Sequence, residues 1–270
     1  MGLFSNSFDD RRKKAKRKPE PVPADAEIRI MDAGPYVVRG NVKLTKQVIV
    51  PEGQHYRYET AGEIEHGETF TLCRCGKSKN PPFCDGAHVA AGFKGEEIAS
   101  RSPFMTRARR QVGPGIDLLD DDRCAFARFC HTEDGNIWEM VRKSDDPRIR
   151  ERVIRAACDC PTGRLVAVDK ETGEPIDEVY EPEIAVLDDP QQEAGGPLFV
   201  KGNIPLYAAD GERYEIRNRM ALCRCGRSDE MPFCDAAHLT FEFWPGVYTE
   251  DSGADRTVLA EKPHEGPDLA

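Results

Sequence analysis

Long apolar runs are missing from this chain of 270 residues: no stretch approaches the 18 residues that a membrane-spanning helix needs, so no membrane span is expected. Apolar residues are sparse, 39% against 32% charged, respectively below and above the average for soluble domains. Such a composition predicts small cores, with metal centres supplying part of the folding free energy. Only two tryptophans occur; Trp138 and Trp244 read as core or lid aromatics. Catalytic signatures are absent too. No Gly-rich phosphate loop, Ser-His-Asp arrangement or paired-carboxylate motif stands out, so the chain reads as a carrier without a substrate site of its own. Ten cysteines without a leading apolar segment argue against a secreted disulfide scaffold and for thiolate ligation in a reducing cytoplasm. Positive charge is also in short supply. The net charge of -10 disfavours nucleic acid as a partner. The exception is RRKKAKRK, Arg11 to Lys18, in a leader with seven basic and four acidic residues, which reads as a solvated arm. The start, MGLFSN, has Asn6 where an acylation signal wants Ser or Thr, so no lipid anchor is assigned.

Against these absences stands one dense stretch, CRCGKSKNPPFCDGAH, from Cys73 to His88. Cys73 and Cys75, two positions apart, fall on the same side of an extended segment. Cys84 and His88 are four positions apart. A helical turn entered after Pro82 would put both on one helix face. Four ligands then converge on one metal centre. The pattern recurs as CRCGRSDEMPFCDAAH, from Cys223 to His238, with every ligand spacing kept.

These residues resemble the CDGSH iron-sulfur family. Its signature is matched in the first copy by Cys73, Cys75, Ser78, Pro82, Cys84, Asp85, Gly86, Ala87 and His88. In the second it is matched by Cys223, Cys225, Ser228, Pro232, Cys234, Asp235, Ala237 and His238, with Ala236 replacing the glycine. That replacement matters only if the position needs a positive φ. The resemblance implies a [2Fe-2S] cluster in each copy, held by three cysteines and one histidine. A structural zinc site is the competing reading of a Cys3His set, although zinc-finger spacings open on Cys-x2-4-Cys and this one opens on Cys-x-Cys. Asp85 and Asp235 read as helix caps rather than bases. His55, His66 and His264 have no cysteine neighbours and read as surface residues.

The repeat extends upstream of the ligands. EIRIMD (27–32) pairs with EIAVLD (183–188), and GPYVVRGNVKL (34–44) pairs with GPLFVKGNIPL (196–206). Short β-rich segments follow, YVVRG, KQVIV and TFTLC in the first copy and LFVKG, RYEIR and MALC in the second. Each module is expected to form a small antiparallel sheet feeding a metal loop and one short helix. The resemblance further implies that the two modules pair, here within one chain.

Between them, RCAFARFC supplies Cys124 and Cys130, and CDCPTGRL supplies Cys158 and Cys160. The intervening DDPRIRERVIRAA predicts a helix, with Pro147 at its first position and Ile149, Val153, Ile154 and Ala157 on one stripe. The arrangement looks like a single-cluster bacterial ferredoxin and the divergent mono-cluster domain related to it. That likeness makes Cys124, Cys130 and Cys160 ligands of a third centre, [3Fe-4S] or [4Fe-4S], with Ala127 where a further cysteine would stand. Cys158, on the edge of the apolar stripe, reads as a buried inert thiol. His131, beside Cys130, ranks below it as a ligand.

The expected architecture is α+β. A disordered basic leader (1–25) precedes a first module (26–100), a ferredoxin-like domain (120–180), a second module (183–248) and an acidic tail (249–270). The expected function is electron transfer, or storage and transfer of clusters, with a redox or cluster-acceptor protein as partner. The alternatives are a non-redox interaction protein folded around zinc and an electron-wiring subunit of an oxidoreductase.

Overall fold

The computed structural model describes residues 22–241 and 243. Most of the basic leader, Trp244 and the acidic tail lie outside them. From Val22 onward the chain is anchored, since Val22 packs on the main core.

The first repeat forms β1 (Glu27–Ile30), β2 (Tyr36–Arg39), β3 (Lys43–Glu52), β4 (His55–Glu63) and β5 (Phe70–Leu72) before the short helix α1 (Ala87–Ala90). After the linker helix α2 (Phe104–Arg107) the central segment forms β6 (Arg109–Gln111), β7 (Ile116–Asp120), β8 (His131–Thr132) and β9 (Gly135–Asn136). It continues with α3 (Ile137–Val141), α4 (Pro147–Cys158), β10 (Leu165–Asp169) and β11 (Pro175–Ile176). The second repeat supplies β12 (Glu183–Asp189), β13 (Ala194–Lys201), β14 (Leu206–Tyr207), β15 (Arg219–Leu222) and α5 (Ala237–Thr240).

The two repeats do not build separate sheets. One sheet runs β14-β1-β2-β5 and the other β15-β13-β12-β3-β4. Each repeat lends its third strand to the other: β1 pairs in parallel with β14 through Ile28 and Leu206, and β12 pairs in parallel with β3 from Glu183–Lys43 to Asp188–Val48. The expectation of one antiparallel sheet per module is therefore corrected. A two- or three-stranded half-sheet leaves its edge groups unpaired, and the exchange satisfies them. Several small cores are present, as expected, but the largest is shared by the two modules. Ile28, Tyr36, Val38 and Leu44 share a single buried cluster with Ile184, Val186, Leu198 and Val200.

RYEIR, also expected as a strand, is irregular apart from one bridge between Arg213 and Tyr207. Its side chains are engaged elsewhere. The Tyr214 hydroxyl donates to Glu97 (2.8 Å), Glu215 accepts the Phe104 amide (2.7 Å), and Arg217 lies 3.8 Å over the Phe104 ring.

The central segment holds the sheet β11-β10-β7-β6, which begins at Arg109. Helices α3 and α4 cover it, burying Ile137, Met140, Val141, Val153, Ala156 and Ala157 against Ile116, Leu118, Leu165 and Ala167. Helix α4 starts as its sequence dictates: the Asp146 side chain accepts the Arg148 amide and Pro147 occupies the first turn. The molecule is thus α+β, with β-rich modules around a central α+β unit. Among the described residues no helix is long and apolar enough to cross a membrane.

Candidate metal centres

Each ligand loop leaves the end of β5 or β15 and folds back on it. In the first, the Cys73 amide donates to Pro82 O (2.8 Å) and the Cys84 amide to Thr71 O (3.0 Å). In the second, Cys223 donates to Pro232 O (2.8 Å) and Cys234 to Ala221 O (2.9 Å). The signature residues that are not ligands hold these loops closed. The Ser78 hydroxyl donates to Phe83 O (2.6 Å) and accepts the Asn80 amide. Asp85 accepts the amides of Lys79 (2.8 Å) and Ala87 (3.0 Å), which lower its pKa. Ser228 and Asp235 repeat every one of these bonds.

The route to the histidine differs from the sequence expectation. Cys84 precedes α1, which is only four residues long, so the two ligands do not share a helix face. They meet because Gly86 turns the chain in the left-handed region, at φ 85°. Ala236 adopts the same conformation, at φ 72°, so the position does require positive φ and the alanine there is strained.

The donors converge as two pairs per loop. Cys73 Sγ and Cys75 Sγ are 3.7 Å apart, and Cys84 Sγ lies 3.4 Å from His88 Nδ1. The second loop gives 3.6 Å for Cys223 and Cys225 and 3.5 Å for Cys234 and His238. Two thiolates on one tetrahedral metal at about 2.3 Å would stand roughly 3.7 Å apart, and a thiolate and an imidazole roughly 3.6 Å. Among the described residues no three such donors gather at one point. Each pair is thus spaced as two protein ligands of one metal atom would be. Electrostatics agree with a cationic occupant. Burial pushes the Cys75 thiol up to about 11, so a thiolate there needs nearby positive charge and forms as metal displaces its proton. Burial and the Arg224 cation hold His238 down at about 4, leaving its nitrogen free to ligate.

Sequence reasoning missed the residues that orient these ligands. Arg74, between the paired cysteines, is buried and donates to the carbonyls of Gly34, Gly95 and Met31 at 2.8 to 3.0 Å. Arg224 does the same for Gly196 and Leu187, both at 2.6 Å, and adds Asp188 at 2.7 Å. The duplicated Cys-Arg-Cys was the available signal. Tyr36 gave no such signal. Its hydroxyl crosses from the first repeat to donate to Cys223 O (2.8 Å) and Pro232 O (3.1 Å). The loops also touch directly: a Cβ on Gly76 would lie 2.4 Å from Cys225 O, and one on Gly226 2.4 Å from Cys75 O.

In the central segment Cys130 and Cys160 pack in one cluster. Burial, then the nearby Cys160 and Cys124, pushes the Cys130 thiol up to about 12. Cys130 and Cys160 are therefore packed neighbours, and Cys124 is near enough to act on Cys130 electrostatically. Ala127 is buried against Ile49 and Phe129, so apolar packing fills the position of the absent cysteine. Cys158 stands apart, its thiol 3.8 Å from Ile176 O and raised to about 12 by burial. His131 Nδ1 lies 3.3 Å from Cys130 Sγ. Ala125, next to Cys124, packs against Cys234 and Ala221. The central cysteines thereby abut the second ligand loop.

Comparison with known proteins agrees with this arrangement. The family described as iron-binding zinc finger CDGSH type matches residues 33–89 and 195–239. The family described as divergent 4Fe-4S mono-cluster matches residues 112–170. The chain carries two CDGSH-type segments flanking a divergent mono-cluster domain, both of them iron-sulfur-binding families. Over 26 residues it is 58% identical to the CDGSH iron-sulfur domain-containing protein 3, mitochondrial, of Mus musculus, a stretch covering 10% of this chain and 19% of that protein. No solved structure matches.

Proposed function

We propose that this protein is an electron carrier with three iron-sulfur centres. Two are [2Fe-2S] clusters, on Cys73, Cys75, Cys84 and His88 and on Cys223, Cys225, Cys234 and His238. The third is a three- or four-iron cluster on Cys124, Cys130 and Cys160. The observation that carries this reading is the pairing of three cysteines and one histidine at metal-ligand spacing in each of two loops, both within segments that match the CDGSH type. When bound, the clusters supply one-electron redox chemistry. The chain supplies the rest: buried arginines set the Cys-x-Cys segments, Ser and Asp side chains close the loops, and the protein surface limits water access. A neutral imidazole in place of a thiolate removes one negative charge, which raises the potential above that of an all-cysteine site. The CDGSH centres are then acceptors for the central one.

Anaerobic purification followed by iron, zinc and sulfide analysis tests this reading. About seven or eight iron atoms per chain with matching sulfide are expected. A colourless protein with about three zinc atoms and no acid-labile sulfide would overturn it.

A further inference from the structure

The two CDGSH loops are duplicates in bonding but not in surroundings. Cys234 is 3% and His238 4% exposed, and two segments pack on their loop. Ala125 packs on Cys234, Arg123 lies 4.2 Å over the Phe233 ring, and the amides of Ile98 and Ala99 both donate to Met231 O. The first loop carries no such cover among the described residues. Cys84 and His88 are partly open to solvent, and Val89, beside His88, is 77% exposed.

Charge separates the loops in the same sense. From Cys73 to Gly95 the sequence has four basic residues, Arg74, Lys77, Lys79 and Lys94, against the single acid Asp85. Lys77, Lys79 and Lys94 are exposed, and the chain returns to His88 just before Lys94 through the Phe93 amide donating to His88 O (3.0 Å). The same 23 positions of the second copy, Cys223 to Pro245, have two basic residues and four acidic ones. A cationic rim around the open centre is unusual in a chain of net charge -10.

We propose that this lysine rim is the docking site of a small acidic one-electron carrier protein, and that the covered second centre relays between it and the central domain. The proposal rests on the electron-transfer reading above. A cationic surface steers an anionic partner and speeds its association, more so at low salt. An open ligand pair at the middle of the contact shortens the path for the electron. The step makes and breaks no bond: the reduced group held by Cys73, Cys75, Cys84 and His88 loses one electron, and an oxidised carrier gains it.

The test uses the full-length cluster-loaded chain, reduced, and a purified acidic blue-copper protein in its oxidised form as probe. Association and electron transfer are followed by stopped flow across a range of ionic strengths. Lys77→Glu/Lys79→Glu/Lys94→Glu is expected to slow association about ten-fold or more at low salt and to flatten its salt dependence. The exposed pair Arg142→Glu/Lys143→Glu, in the central domain, serves as the control and should match the parent protein. Iron, sulfide and visible spectra are measured on every variant. A triple variant with full cluster content and an unchanged rate and salt slope would refute the docking site while leaving the iron-sulfur reading intact. A parent protein without iron and sulfide would instead refute the reading beneath it. An equal loss in the control would show a response to net charge, not to this rim, and would also refute the proposal.

Discussion

Replacing Arg219 by methionine should do more damage than any other single change outside the ligands. Arg219 opens β15, the strand that runs into Cys223, and its side chain is buried. One guanidinium nitrogen donates to the carbonyls of Ala157 (2.7 Å), Cys158 (2.9 Å) and Cys160 (2.7 Å). The other reaches Leu165 O and pairs with Asp177 at 3.1 Å. One side chain thus fixes the end of α4, the turn carrying Cys160 and the approach to the second CDGSH loop. Methionine approximates the volume but takes one donor from each of four carbonyls and from the Asp177 carboxylate. A buried acceptor left unmade costs about 1–3 kcal/mol, and a buried ion pair broken from one side costs about 3–5 kcal/mol. These overlap in one residue, so about 3–5 kcal/mol in total is expected. With a urea slope of about 3 kcal/mol per molar for a chain of this size, the unfolding midpoint should fall by roughly 1–1.7 M. The absorbance of the central cluster should disappear ahead of global unfolding, because the Cys160 turn is released first. Arg219→Lys keeps the charge without the three-way fork and should fall between. If Arg219→Met unfolds within about 0.3 M of the parent and keeps its central cluster, the argument is wrong.

Three further outcomes are expected. Ala236→Gly relieves a left-handed alanine costing about 1–2 kcal/mol while adding about 0.5–1 kcal/mol of unfolded-state entropy, so differential scanning calorimetry should show a small gain, and a loss of stability would contradict the assigned backbone. Cys160→Ser should remove the central cluster's signal alone, whereas Cys158→Ser should keep it, as electron paramagnetic resonance of the reduced proteins can decide. As pH falls, a proton and iron compete for each imidazole. His238, with its pKa depressed from 6.5 to about 4 by burial and Arg224, contributes stability that is complete above about 6.5 and is lost on descending toward 4. The solvent-open first centre should bleach at higher pH than the second, and His88→Cys should shift only the first. Simultaneous bleaching of both centres across the variants would count against this.

The sequence carried the ligands because chemistry fixes residue type and spacing at once: Cys73, Cys75, Cys84 and His88 recur unchanged 150 positions later. Helix α4 was legible for a local reason, since Asp146, Pro147 and the apolar stripe all act within a few residues of one another. The exchange of strands between repeats was not. Alternation in EIRI or YVVR says which face is buried, but it is silent on which edge receives a partner. RYEIR failed for a related cause. Its alternating pattern was spent on Glu97, Phe104 and Gly163 and not on a neighbouring strand. The left-handed turn at Gly86 was hinted at by the glycine and hidden by Ala236, because a loop tied by Ser228, Asp235 and two strand-end bonds tolerates a strained residue.

Placing both repeats in one chain has a physical consequence that two identical subunits would not have. Identical subunits about a two-fold axis present identical centres, so a change that covers or charges one does the same to the other. Here the copies share their core and exchange strands, yet their loops have diverged independently. Lys79 in the first copy corresponds to Asp229 in the second, Asn80 to Glu230, and Gly86 to Ala236. Among the described residues the inserted domain packs on the second loop, through Ala125 on Cys234 and Arg123 on Phe233. The asymmetry supplies an order: central cysteines, then the buried second loop in contact with them, then the first loop, whose backbone meets the second at Gly76 and Gly226, and finally solvent. With potentials graded along that order, electrons would have one outlet, at His88, where water and a partner can both reach.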